Sequence, residues 1–222
     1  LNQAATLIRE AKRPLIVSGH GVIIAKAHDE VKRLAEHAQI PVVSTFLGLS
    51  GFSADHVLYV GMPGMHGAAY ASIAIDEADL LIAIGMRFDD RVTGKVSAFA
   101  PNSKIIHIEI DPAEINKNIA ATVPLVGDAK QVLTDLLPLV ESNTHEEWLS
   151  RIENLRREHP LVAHNKSDKL LPQRIIKELS DITKGEAIIA TGVGQHQMWA
   201  AQHYKFKEPR SWISSGGSGA MG

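Results

Sequence analysis

Cysteine is missing altogether from the 222 residues. That removes disulfides and thiolate chemistry, and it fits a reducing, cytoplasmic setting. An excess of charge is missing too: 23 basic residues stand against 25 acidic ones, well mixed, for a net charge of −2. No basic stripe is available for nucleic acid, and no polybasic anchor for a membrane surface. No apolar run approaches the roughly 20 residues that a membrane span needs. The 11 histidines fall into no H-x-H, H-x3-H or H-E-x-x-H spacing, so they do not point to a metal centre.

What is present is a 45% apolar fraction, enough for one good core and part of a second. Helical stripes and buried strands alternate. "LNQAATLIREAK" predicts a helix, "RPLIVSGHGV" a strand and a glycine turn, "KAHDEVKRLAEHAQI" a helix, and "PVVSTF" a short strand. A helix over "GAAYASIAIDEA" follows, then strands at "DLLIAIG", "KIIHIEI" and "TVPLVGD" and a helix at "AKQVLTDLLPLV". Apolar runs without polar alternation belong to strands covered on both faces, so the class is α/β with a doubly wound parallel sheet. This first domain is expected to span residues 1–142. A charged helix, "EEWLSRIENLRRE", reads as a solvated connector within a 143–169 linker, although Trp148, like Trp199, falls on a helical apolar stripe and is expected in a core or an interface. Residues 170–222 then open a second α/β unit of only two strands, at "EAIIATGVG" and "SWISS". The chain begins on Leu and ends on "SSGGSGAMG", and we expect it to be a piece of something longer.

In open parallel sheets, ligands bind at the carboxyl ends of strands. Glycine and charge gather at those ends here: Gly19 and Gly21 after the first strand, and "GMPGMHG" ahead of a helix, leaving His66 at its positive end. Glu109, Ile110 and Asp111 close the fourth strand, and Asp128 opens the helix after the fifth. Taken singly, each has a plain structural use; Asp128, for instance, suits a helix cap. "GMRFDDRVTG", after the third strand, is more specific. Arg87 and Arg91 flank Asp89 and Asp90. A planar guanidinium suits bidentate contact with phosphate or carboxylate, and neighbouring carboxylates fix its direction. The tally favours an extended nucleotide lying across the sheet edge.

"GMRFDDRVTG", "GMHG", "HIEIDPAEI", "GVGQHQMWAAQ" and "SGGSGAMG", in that order, resemble the catalytic subunits of acetolactate (acetohydroxyacid) synthases, thiamine-diphosphate enzymes. The resemblance runs over nearly the whole chain. It implies a central FAD-binding domain followed by the start of the domain that binds the thiamine diphosphate. FAD contacts would fall on Gly19, Gly21, Thr45, Phe46, Met65, His66, Gly67, Arg87, Arg91, Val92, Glu109, Ile110, Asp128, Gly216 and Gly217. Thiamine diphosphate would meet Val193, Gly194, Gln195, His196, Gly219 and Met221. Arg87 would offset the flavin's pyrophosphate charge, Glu109, Ile110 and Asp128 would suit ribose and adenine, and Arg91 could meet a substrate carboxylate.

The resemblance further implies pyruvate and 2-ketobutyrate as substrates, a dimer or tetramer, a regulatory small subunit, and Mg2+. The activating glutamate is expected ahead of residue 1 and the Mg2+ site beyond Gly222, so the chain alone is expected to make no acetolactate. Two departures from the family stand out: His20 within the glycine turn, and Ser218 where leucine is usual. Two other readings stay open: another FAD-containing thiamine-diphosphate carboligase or pyruvate oxidase, and a non-catalytic nucleotide-binding module.

Overall fold

The computed structural model describes residues 1–161, 170–217 and 219. The first unit begins with α1 (Asn2–Glu10), β1 (Pro14–Ser18), α2 (His20–Ile24), α3 (His28–Ala38) and β2 (Val42–Ser44). It continues through β3 (Tyr59–Gly61), α4 (Ala69–Glu77), β4 (Leu80–Ile84), α5 (Asp90–Thr93) and β5 (Lys104–Glu109). Then come β6 (Val123–Val126), α6 (Ala129–Leu136) and α7 (Glu146–Glu158). The second unit holds α8 (Pro172–Ile182), β7 (Ile189–Thr191), α9 (Gln195–His203) and β8 (Trp212–Ser214).

All six strands of the first unit run parallel in the order β3-β2-β1-β4-β5-β6. β1 and β4, at the centre, are buried at every position. Alternate residues therefore serve opposite faces. Ile16, Val42, Leu80, Ile82, Ile106 and Ile108 pack under α1, α3 and α6. Leu15, Val17, Val43, Leu81, Ala83 and Ile105 pack under α4 and α7. This is the doubly wound sheet that continuous apolar runs require.

Four local outcomes differ from the sequence reading. The expected glycine turn after β1 is the short helix α2, entered at Gly19. β3 was not anticipated; with three residues at the sheet edge it carries no period of its own. α5 is a single turn inside the arginine stretch, capped by Asp89. The helix expected to be a solvated connector buries not only Trp148, as its apolar stripe suggests, but also Ile152 and Leu155 against the sheet, and Trp148 Nε1 donates to Pro14 O at 2.9 Å. The mixed charges of α7 do lie outward, but its inner stripe completes the second helical layer.

β7 and β8 pair in parallel. A third apolar cluster holds this unit to the first: Leu49 and Met62 meet Ala200, Ala201, Tyr204, Phe206 and Trp212. Phe46 adds an edge-on contact to Trp212 with ring centroids 5.3 Å apart. Polar ties cross the same seam, with Ala54 N–H donating to Phe206 O at 2.9 Å and Lys207 Nζ 2.7 Å from Asp55 Oδ2.

Candidate cofactor cleft

The strand order reverses direction between β1 and β4, and at their carboxyl ends backbone touches backbone. Gly19 N–H donates to Ile84 O and Gly21 N–H to Gly85 O, both at 2.9 Å. A Cβ on Gly21 would lie 2.5 Å from Gly85 Cα, and Gly85 itself sits at φ 58°. Only glycine permits such an approach. Here opens a cleft of about 840 Å³, lined by residues of both units. That lies in the upper part of the roughly 300–1,000 Å³ range typical of ligand sites.

Arg87 and Arg91 both line it. Their side chains are 59% and 63% exposed, and each approaches one aspartate oxygen at 3.5 Å: Arg87 to Asp89, Arg91 to Asp90. One-point pairs at that distance and exposure contribute only about 0–1 kcal/mol. They leave most of each guanidinium's donors for a ligand. Asp89 is better occupied as a cap, its Oδ1 accepting from Arg91 N–H at 3.1 Å. Internal salt bridging is therefore too weak a reason for the stretch.

The "GMPGMHG" loop backs the arginines. Met65 N–H donates to Arg91 O at 2.9 Å. Gly64, at φ 93°, lies so close that a Cβ would stand 2.3 Å from the same oxygen. His66 lines the cleft, whereas Met65 and Gly67 do not. The following helix starts at Ala69, so His66 lies in the turn before it rather than at its positive end, and His66 O accepts from Gln202 Nε2 at 2.7 Å. Of the other expected flavin contacts, Gly21, Thr45, Phe46, Val92, Glu109, Ile110, Asp128, Gly216 and Gly217 line the cleft, and Gly19 does not.

Carboxylates collect at the β5–β6 end. Glu109 Oε1 accepts from Ile110 N–H at 2.9 Å and Asp111 N–H at 3.3 Å. Asp128 Oδ1 caps α6, accepting from Lys130 N–H at 3.0 Å and Gln131 N–H at 3.1 Å. Each has a second oxygen with no protein donor among the described residues. Asp111 and Glu114 join them in the lining. The cleft is thus polarised, with guanidinium groups in its middle and carboxylates at one end.

From the second unit come Val193, Gly219 and residues not singled out in the sequence: Gln197, Met198 and Ser215. Gln197 is buried, and its Nε2 donates to Ser214 Oγ at 2.7 Å and Ser215 O at 2.8 Å, fixing the segment that leads to Gly216. Gly194, Gln195 and His196 do not line the cleft; His196 folds back so that a Cβ on Gly194 would meet its ring at 3.1 Å. Met221 and Ser218 lie outside the described residues. Sequence reasoning also passed over His20 as a contact, and over Met62 and Pro63, whose signal was the unread strand β3. Among the described residues no group of three or more His, Cys, Asp or Glu comes together to hold a metal.

Residues 1–136 match the family model for the central domain of thiamine pyrophosphate enzymes, and residues 192–222 match that for their C-terminal TPP-binding domain. The chain belongs to the thiamine pyrophosphate enzyme family. Within it, the chain is 49% identical over its whole length to the acetolactate synthase large subunit of Corynebacterium glutamicum, of which it covers 36%. It is 46% identical over its whole length to the chloroplastic acetolactate synthase 1 of Zea mays, covering 35%. A probable acetolactate synthase large subunit of Methanocaldococcus jannaschii is 48% identical, with 39% covered. The chain thus spans a little over a third of the length of the curated relatives it matches. The central-domain match falls on the six-stranded unit that carries the arginine stretch. No helix among the described residues is long and apolar enough to cross a membrane.

Proposed function

We propose that this chain is the flavin-binding central part, and the start of the thiamine-diphosphate-binding part, of an acetolactate synthase. The observation that carries the reading is the polarised cleft at the β1–β4 reversal, in a chain that matches acetolactate synthases from end to end. A dinucleotide fits its chemistry. Bare glycine backbone at Gly21 and Gly85 lets a ligand reach the sheet edge. The Arg87 fork meets diphosphate charge, and Glu109 and Asp128 accept from ribose and adenine donors. Ile24, Met86 and Ile108 supply an apolar wall.

For thiamine diphosphate the fit is partial: Val193, Gln197 and Gly219 face the same space from the second unit. When bound, that cofactor supplies the electron sink that lets a 2-keto acid lose CO2. The residues of this chain would orient and exclude water, and Arg91 would hold a substrate carboxylate such as that of pyruvate or 2-ketobutyrate. Magnesium receives no donor set from the described residues, and no role is derived for it. The cytoplasmic setting, an oligomeric holoenzyme and a regulatory small subunit belong to the same reading.

Equilibrium dialysis with FAD tests the proposal. The chain should retain the flavin, and Arg87→Ala should weaken retention by about 1.5–3 kcal/mol, or roughly 10- to 150-fold. No retention at high micromolar FAD would count against the reading. An unchanged affinity in Arg87→Ala would return Arg87 to its salt bridge with Asp89.

A further inference from the structure

Backbone carbonyls that leave a strand without a ladder need donors from elsewhere. The loop after β4 has three in a row satisfied by side chains from distant segments. His107, fully buried on β5, donates Nε2–H to Met86 O at 2.8 Å. Asn118 donates Nδ2–H to Phe88 O at 2.9 Å and to Arg87 O at 3.3 Å. The loop is also strained, because Phe88 is buried at φ 52°, a region bulky side chains avoid. Its ring stands edge-on to His107 at 4.9 Å and to Phe99 at 5.9 Å. Such a conformation persists only when surrounding contacts over-determine it.

The segment carrying Asn118 is itself shaped for delivery. A 3₁₀ turn at Pro112–Glu114 is capped by Asp111. Asn116, at φ 60°, turns the chain and accepts from Ala121 N–H at 2.7 Å. Asn118 does not line the cleft, whereas Arg87 does.

We propose that Asn118 is a positioning residue for the flavin's diphosphate contact, holding the Arg87 and Phe88 carbonyls so that the Arg87 fork stays on the cleft. The inference rests on the reading of Arg87 as that contact. FAD affinity is measured by equilibrium dialysis for the full chain, for Asn118→Asp, for Arg87→Ala and for the double variant. Asn118→Asp keeps the shape but replaces a two-hydrogen donor with an acceptor facing two carbonyls.

The single Asn118→Asp change should weaken FAD binding about 5- to 20-fold. In the Arg87→Ala background it should change affinity less than about twofold, because the group it positions is gone. Equal losses in both backgrounds would make Asn118 merely structural and overturn the proposal, as would an unchanged affinity in the single variant. An Arg87→Ala protein that binds FAD like the parent would instead remove the flavin reading of Arg87, and this inference with it. If Asn118→Asp does not fold, Asn118→Ser, which shortens the donor, is run through the same cycle.

Discussion

At the scale of single residues, glycine does two different jobs along the cleft. Gly64 needs both its positive φ of 93° and its missing side chain, since a Cβ would stand 2.3 Å from Arg91 O. Gly94 also has a positive φ, 57°, but nothing lies within 4 Å of the position its Cβ would take. Gly64→Ala is therefore expected to cost about 2–4 kcal/mol in urea unfolding and to displace the arginine loop. Gly94→Ala should cost less, about 1–3 kcal/mol for the conformational part alone at φ 57° and ψ −122°. Equal costs would mean that the Gly64–Arg91 approach is not what holds the loop. Glycine content alone could not separate these two; both need a positive φ, and the difference is made by a segment 27 residues from Gly64. The same blindness covers Asn118, an ordinary polar residue whose partners lie 30 and 31 residues back.

At the scale of elements, α7 shows how charge can mask packing. Ten of its 13 residues face outward or only partly inward, and apart from Trp148 the sequence reads as a solvated helix. Yet Trp148, Ile152 and Leu155, at positions i, i+4 and i+7, fall on one stripe and are buried against the sheet. Arg151 adds a two-point pair to Glu77 of α4, at 2.7 and 3.0 Å. Trp148→Ala is expected to destabilise the fold by about 3–5 kcal/mol in chemical denaturation. Arg157→Ala, on the exposed face, should stay within about 0.5 kcal/mol. A tryptophan change as mild as the arginine one would return α7 to the status of a tether. The strands β1, β4 and β5 were legible because short apolar runs rich in Ile, Leu and Val have few other uses. β3 was not, because three edge residues give too little pattern to read.

At the scale of the whole molecule, pH should govern stability through buried imidazoles. Burial holds His107 below the ordinary imidazole pKa, partly opposed by its bond to Met86 O and by Glu109 and Glu114. His145 is lowered in the same way, with Asp79 opposing. His107 Nδ1 and His145 Nε2, which have no hydrogen-bond partner among the described residues, are shielded from water. A folded pKa below the unfolded value of about 6.5 means that only the unfolded chain takes up protons just below that pH. Their contribution is fully present above about pH 6.5 and is lost as the pH falls toward the lowered folded values. The melting temperature should therefore drop between pH 7.5 and 5.5, and His107→Gln should flatten part of that drop. A melting temperature that is level or rises on acidification would show that these rings do not stay neutral when folded. The acids Asp55 and Glu77, lowered by Lys207 and Arg151, act in a separate window below about pH 4.5.

The amino-acid sequence by itself determined the class of the fold, its two helical layers and the presence of a paired arginine–aspartate stretch after an apolar strand. Those properties are local, because apolar periodicity and residue type act over a single turn or strand. Only the tertiary structure decided that β1 and β4 are neighbours, that Gly21 lies against Gly85, and that Arg87 and Gly216 share one cleft. These are meetings between segments tens to more than a hundred residues apart, set by crossover connections and edge packing. A strand or a loop looks the same in sequence wherever it is placed in the sheet.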